Sequence, residues 1–247
     1  MKTFSISDVG KKRSMNQDYM YSMEKPVGAL PNLFIVADGM GGHNAGDYAS
    51  RHTVEMIEQF VKETTLTEPV AIMKAAIERA NERIVRDAKE HGELEGMGTT
   101  VVMASICGKR MTVANVGDSR LYVVNEKMKQ ITTDHSLVEE MVRMGRIDKL
   151  EVKDHPKKNV ITRAVGAAPE IEADIFEVEL TEGDMVLMCT DGLTNMVEDL
   201  DICNIMRRQR DVAEAAERLV EAANANGGKD NITVLVIEPF SNEVKVC

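Results

Sequence analysis

The chain reads as an α+β protein. Apolar, strand-like runs stand at both ends of its 247 residues, short strands crowd together between 99 and 132, and helical stretches interrupt them without strict alternation. Clustered strands joined by short turns favour antiparallel sheets, and irregular spacing argues against a βαβ pattern. With 43% hydrophobic residues the chain has enough apolar material for a proper core, and neither an internal repeat nor a linker divides it, so residues 1–247 are expected to form one domain.

Residues 1–30 read as a strand, a turn and a second strand, and 33–38 as a continuous apolar, buried strand. A glycine-rich loop from Asp38 to Gly46 then opens a helix of about four turns at Asp47, with Ala49, Val54, Ile57, Phe60 and Val61 at helical spacing. A longer helix is expected from Thr67 to His91, with Pro69 in its first turn and a buried stripe of Ile72, Ala75, Ala76, Ile77, Ala80, Ile84 and Val85. Glu82 and Arg86 are spaced to pair on its surface.

Strands follow at 99–107, 110–116, 119–125 and 128–132. Ser136-Leu137-Val138-Glu139 has the form of a capping box that opens a helix. From Gly145 to Gly166 the pattern weakens into a charged, irregular insert with a turn or two of helix. Strands return at 172–180 and 185–190, then helices near 197–208 and 211–225, and a last strand at 231–238.

A formal net charge of −11 argues against unaided binding to nucleic acid or an anionic membrane. No apolar run reaches the length of a membrane span, and the N-terminus lacks the apolar core of a signal peptide. Cys107, Cys189, Cys203 and Cys247 show no metal-binding spacing; Cys107 and Cys189 read as core residues. Free thiols fit a reducing compartment, so a cytoplasmic protein is expected.

The chemistry concentrates in four aspartates at the mouths of apolar strands: Asp38, Asp118, Asp191 and Asp230. A carboxylate beside a buried strand is costly unless paired, and four brought together would repel one another and call for cations. All-oxygen sites suit magnesium or manganese. Each position also has a plainer reading: Asp191-Gly192 as a turn, Asp118 and Asp230 as turn caps, and the Gly39–Gly46 run as a strand-to-helix turn. The recurring context of an apolar strand with an aspartate at its mouth favours the joint reading. Arg13 offers a two-point fork for phosphate, or a solvated basic turn with Lys11 and Lys12. Asp18 orients a metal-bound water or begins a strand. His43 is a candidate general acid or a structural residue of the glycine-rich loop, His135 belongs with the capping turn, and His52, His91 and His155 read as surface residues.

These motifs resemble, in order and over essentially the full length, the PPM family of metal-dependent type 2C protein Ser/Thr phosphatases in its compact bacterial form. The carriers are Arg13-x-x-Asn16-Gln17-Asp18, Val36-Ala37-Asp38-Gly39-Met40-Gly41-Gly42-His43 and Gly98-Thr99-Thr100. Ala114-Asn115-Val116-Gly117-Asp118-Ser119-Arg120, Asp134-His135-Ser136 and Ile161-Thr162-Arg163-Ala164-Val165-Gly166 follow. Cys189-Thr190-Asp191-Gly192-Leu193 and Asp230-Asn231-Ile232-Thr233 complete the set.

The resemblance implies a four-layer αββα sandwich, two antiparallel sheets between helices, with a flap insert at about 137–167. It implies Mn2+ or Mg2+: Asp38 bridging two core ions, the Gly39 carbonyl on the first, Asp191 and Asp230 on the second, and Asp118 with Asp191 on a third. Asp18 would act through a metal-bound water, Arg13 would clamp the substrate phosphate, and a water bridging the metals would hydrolyse phosphoserine or phosphothreonine directly. Phosphorylated proteins, among them a Ser/Thr protein kinase, are the implied partners of a monomeric enzyme. Many members carry Glu where Gln17 stands, and Met40 occupies the place of the eukaryotic general-acid His. The competing reading is a binding module that keeps this fold without turnover; the presence of all four carboxylates speaks against it.

Overall fold

The computed structural model describes residues 1–42, 45–148, 151–152, 155–209 and 211–241. Two antiparallel sheets lie face to face between helical layers, as the resemblance implies. The first sheet joins both ends of the chain: β1 (Lys2–Asp8), β11 (Ile232–Glu238), β10 (Met185–Cys189), β7 (Arg120–Val124) and β8 (Met128–Gln130), in that order. The second runs β2 (Asp18–Met23), β3 (Leu33–Met40), β5 (Val101–Cys107), β6 (Arg110–Val116) and β9 (Asp174–Glu179), with β4 (Gly98–Thr99) paired to the end of β3.

Alternation of side chains along each strand explains the layers. Phe34 and Val36 of β3 point inward with Val102, Val113, Met188, Leu235 and Ile237, and this buried set fills the space between the sheets. Their neighbours Leu33, Ile35 and Ala37 face the other way, onto α1 (Ala45–Glu63) and α2 (Pro69–Glu90). On the opposite outer face, Leu187, Cys189, Val234 and Val236 pack beneath α5 (Asp199–Arg208) and α6 (Val212–Ala225).

Most elements fall where their periodicity puts them, and the differences have physical causes. The first helix begins at Ala45 rather than Asp47, and β3 runs through Met40. In α2 the buried stripe includes Met73, Asn81 and Asp87, while Ala75 and Val85 are only half-buried. Polar residues enter that face because they have partners: Asn81 Oδ1 accepts from Gly166 N at 2.7 Å, and Asp87 accepts from Arg83 and Tyr48. Glu82 pairs with Arg79 at 3.0 Å rather than with Arg86. Cys107 is exposed, because its strand has left the core by its final residue, whereas Cys189 is buried.

The helix expected near 197–208 is preceded by a single turn, α4 (Asp191–Thr194). Ser136 caps α3 (Leu137–Arg143), its hydroxyl accepting from Glu139 N at 3.3 Å. Beyond α3 the described residues of the insert are mostly turns, returning to the body where Ile161 bridges Ser136 and Val165 bridges Thr99. Cys247 lies outside the described residues.

Candidate active site

One end of the sandwich gathers the strand-mouth aspartates. Asp18 and Asp38 face each other across the β2–β3 ladder, so both carboxyls leave the sheet at the same edge. The backbone of Asp38 is fixed on both sides. Its N–H donates to Thr100 Oγ1 at 2.9 Å, and its carbonyl accepts from Thr99 Oγ1 at 2.8 Å and Thr100 N at 2.9 Å. Gly39 follows, where a Cβ would stand 2.0 Å from the Gly46 carbonyl and 2.5 Å from that of Gln17. Only glycine lets three backbone segments approach so closely.

Asp191 opens α4 at the end of β10. A Cβ on Gly192 would meet the Asn231 carbonyl at 1.9 Å, so the glycine allows α4 to dock directly on the start of β11. That contact brings Asp191 beside Asp230. Asp118 leaves β6 through the Gly117 turn and is 8% exposed.

These groups sense one another. Burial and then the charges of Asp18, Asp191, Asp118 and Asp230 raise the Asp38 carboxyl well above the ordinary range. Burial, with Asp191 and Asp134, pushes Asp118 up to about 8 against the pull of Arg120. Asp191 is raised to about 6 by burial and Asp230, opposed by a hydrogen bond with Asp38 and by Arg120 and Arg13. Burial raises Asp18 to about 7, although Thr233 and Thr190 hydrogen-bond to it and lower it. Four carboxyls raised together mean that their charged forms lack compensating positive charge.

Among the described residues no three His, Cys, Asp or Glu side chains are drawn into a metal-holding cage. Other partners hold them instead. Asp230 Oδ2 accepts from Arg13 Nη2 at 2.8 Å and its Oδ1 from Asn231 N at 2.9 Å, while Asp18 Oδ2 accepts from two threonine hydroxyls. Asp18 Oδ1 and Asp118 Oδ1 are buried without a hydrogen-bond partner. Two orphaned carboxylate oxygens, beside carboxyls raised by burial and then by one another's charge, are what a divalent-cation site of oxygen donors needs.

Arg13 reaches the mouth on the 9–17 loop. Asn231 staples that loop to β11: its Nδ2 donates to the carbonyls of Val9 and Met15, both at 2.9 Å, and its Oδ1 accepts from Gln17 N at 2.8 Å. In the sequence Asn231 stands out only as part of the Asp230-Asn231-Ile232-Thr233 motif; an amide's capacity for three bonds beside an apolar run is the signal that points to a brace. His135 is 7% exposed, with Nδ1 accepting from Gly117 N at 3.0 Å and Nε2 lying 3.1 Å from Asp174 Oδ2. It therefore braces the turn that leads into Asp118, beyond its expected place at the α3 cap. Arg120 is held by Asp134 through three bonds of 2.7–3.0 Å. His43 lies outside the described residues. Of the surface histidines, His91 is exposed, and His52 and His155 are half-buried.

Comparison with known proteins agrees with this arrangement. Residues 19–232 match the family model described as protein phosphatase 2C. The "Serine/threonine phosphatase stp" of Listeria innocua is 44% identical over 211 residues, covering 83% of this chain and 84% of the relative. Serine/threonine phosphatase Stp1 from Staphylococcus aureus superposes with a TM-score of 0.89 at 32% identity, over 95% of this chain and 93% of that one. The catalytic domain of the phosphatase PstP, solved in complex with 2 manganese ions, gives a TM-score of 0.83 at 33% identity, over 95% and 96%. The strand-mouth aspartates thus stand on a fold and in a sequence context shared with known phosphatases: the chain belongs to the protein phosphatase 2C family and is a protein serine/threonine phosphatase.

Proposed function

We propose that the chain hydrolyses phosphoserine and phosphothreonine on proteins with divalent cations held by Asp38, the Gly39 carbonyl, Asp191 and Asp230. A third ion would sit on Asp118 and Asp191. One observation carries this reading above the rest: carboxyls raised by burial and then by one another's charge, with orphaned oxygens on Asp18 and Asp118, meet at one mouth beside Arg13. Manganese or magnesium fits an oxygen donor set, and the manganese-bound PstP structure supports manganese. When bound, the ions supply an acidified water as nucleophile and positive charge against the phosphoryl oxygens.

The chain's own residues do the rest. Arg13, with its side chain 50% exposed, presents its guanidinium to an incoming phosphate. Hydrolysis is direct, with no phosphoenzyme, and the leaving serine or threonine oxygen must gain a proton, for which His43 is the candidate donor. Asp18 acts from behind, aligned on the centre through its unpartnered oxygen.

The described residues of the insert at about 137–167 form a flap beside this mouth. A cavity of about 520 Å³, lined by Asp118 and Asp191 together with Val138 and Glu139 of α3 and Asp199 and Leu200 of α5, separates flap from body. A cleft of that size can enclose a ligand of several hundred daltons, such as a phosphorylated side chain with its flanking backbone. A phosphoprotein substrate fits such a cleft, and a Ser/Thr kinase is the natural antagonist and a substrate in its own right. No helix among the described residues is long and apolar enough to cross a membrane. The enzyme is read as a cytoplasmic monomer of one catalytic domain.

Release of phosphate from a phosphothreonine peptide, with manganese and then with excess EDTA, tests the scheme. Turnover should need the metal and vanish in Asp38→Ala. Undiminished turnover in EDTA, or in the variant, would refute it.

A further inference from the structure

Behind the carboxylates lies a chain of hydroxyls that neither the metal set nor the phosphate clamp uses. Thr190 and Thr233 are fully buried, and Asp18 is 6% exposed. Thr190 Oγ1 donates to Asp18 Oδ2 at 2.9 Å, and Thr233 Oγ1 donates to the same oxygen at 2.7 Å. Thr190 stands just before Asp191, Thr233 is in β11 and Asp18 in β2, so the two bonds tie the first sheet to the second.

The direction of every proton in this chain is fixed. Asn16 Oδ1 accepts from Asp18 N at 3.2 Å, which leaves Asn16 Nδ2 as a pure donor, 2.7 Å from Ser7 Oγ. Thr233 gives its single hydroxyl proton to Asp18, so the 2.7 Å contact between Ser7 Oγ and Thr233 Oγ1 must have Ser7 as the donor. Thr233 N donates to Thr190 Oγ1 at 3.0 Å, which leaves the Thr190 proton for Asp18. Both branches deliver protons one way, onto Asp18 Oδ2. That oxygen is occupied, the carboxyl plane is fixed, and Oδ1 is left buried and unpartnered.

We propose that Thr190 and Thr233, with Ser7 behind Thr233, are positioning residues that hold the Asp18 carboxylate in one orientation, with Oδ1 directed at the metal centre. Their role presupposes the divalent-cation site proposed above. A hydroxyl that donates suits an ionised carboxylate, which only accepts. Fixed from behind, Asp18 meets an incoming ion and its waters without reorganising. Groups that orient a metal's partners in this way typically change metal affinity by about 10- to 100-fold when removed.

The test is calorimetric titration of the metal-free protein with manganese chloride, alongside thermal melting without metal. Thr233→Val and Thr190→Val keep the side-chain shape and lose the hydroxyl. Each should remain folded and bind manganese about 10- to 100-fold more weakly. At saturating manganese, KM for a phosphothreonine peptide should stay near the wild-type value. Thr233→Ser should bind manganese within a few-fold of wild type, because the donor is kept. Thr53→Val, which removes a buried hydroxyl without a partner in α1, should leave manganese affinity unchanged. Should one valine variant fail to fold, the other, or Ser7→Ala one hydroxyl further back, carries the same expectation. Wild-type manganese affinity in the valine variants, whatever their melting temperature, overturns the positioning role and leaves the phosphatase scheme standing. Loss of affinity in Thr233→Ser equal to that in Thr233→Val would overturn it too. A wild-type protein that binds no manganese would sink the metal scheme and this role together.

Discussion

Arg13 and Asp38 do different work, and their substitutions should separate in kinetics. Asp38 sits at the centre of the carboxylate cluster, buried and raised by all four of its neighbours. Asp38→Ala should lower kcat to background, and so should Asp191→Ala, measured as phosphate release at saturating manganese. Arg13 lies at the exposed mouth, paired to Asp230 with side-chain exposures of 50% and 35%. Arg13→Ala should mainly raise KM, by roughly 10- to 100-fold, as expected for losing a charged hydrogen bond of about 1.5–3 kcal/mol. Arg13→Lys should recover only part of this, since a point charge does not replace a planar fork. A fall in kcat with KM unchanged would place Arg13 outside phosphate binding.

The 9–17 loop and α4 depend on single contacts at their bases. Asn231 is 4% exposed and supplies three hydrogen bonds that hold the loop to β11. Asn231→Ala strands two carbonyls and one N–H, and should cost about 2–4 kcal/mol in urea unfolding. Because the loop carries Arg13, KM should rise with it. In Gly192→Ala the new methyl would meet the Asn231 carbonyl at 1.9 Å, so α4 must shift and take Asp191 with it. Manganese affinity should fall along with stability; an unchanged affinity would mean that Asp191 is positioned by β10 alone. Element positions were largely readable from period and punctuation: the apolar run of β3, the Ser136 cap and the helix at 211–225 stand where expected. The burial of Asn81 and Asp87 in α2 was not readable, because their partners Gly166 and Tyr48 come from other segments. Cys107 was misplaced for the converse reason, since an apolar run does not reveal its last buried residue.

For the whole molecule, the carboxylate cluster sets how stability follows pH. Burial and neighbouring charge raise folded Asp191, Asp18 and Asp118 to about 6, 7 and 8, against 3.8 as the ordinary value. Between these limits the folded protein keeps protons that the unfolded chain has released, so stability falls as pH rises through that window. The metal-free protein should therefore melt at a lower temperature at pH 8 than at pH 5.5. Manganese, which binds the ionised carboxylates, should raise the melting temperature more at pH 8, by about 5–10 °C at a hundredfold excess over its dissociation constant. A metal-free melting temperature that climbs between pH 5.5 and 8 would contradict the cluster's electrostatics.

The sequence by itself determined the α+β class, the order of strands and helices, and the residue types at the mouth. Those follow from local periodicity and from the oddity of an aspartate ending an apolar strand, which a reader can see within a few neighbouring residues. Tertiary structure alone decided which of those groups meet. Asp18 and Thr233 are 215 positions apart, and Arg13 and Asp230 are 217, yet each pair is joined by a hydrogen bond. The first contact exists only once the two sheets close face to face, and the second only once the two ends of the chain pair as β1 and β11. Burial, mutual repulsion and the one-way chain of hydroxyls behind Asp18 are properties of that closure, because an electrostatic interaction depends on distance in space and local strings of residues carry no record of it.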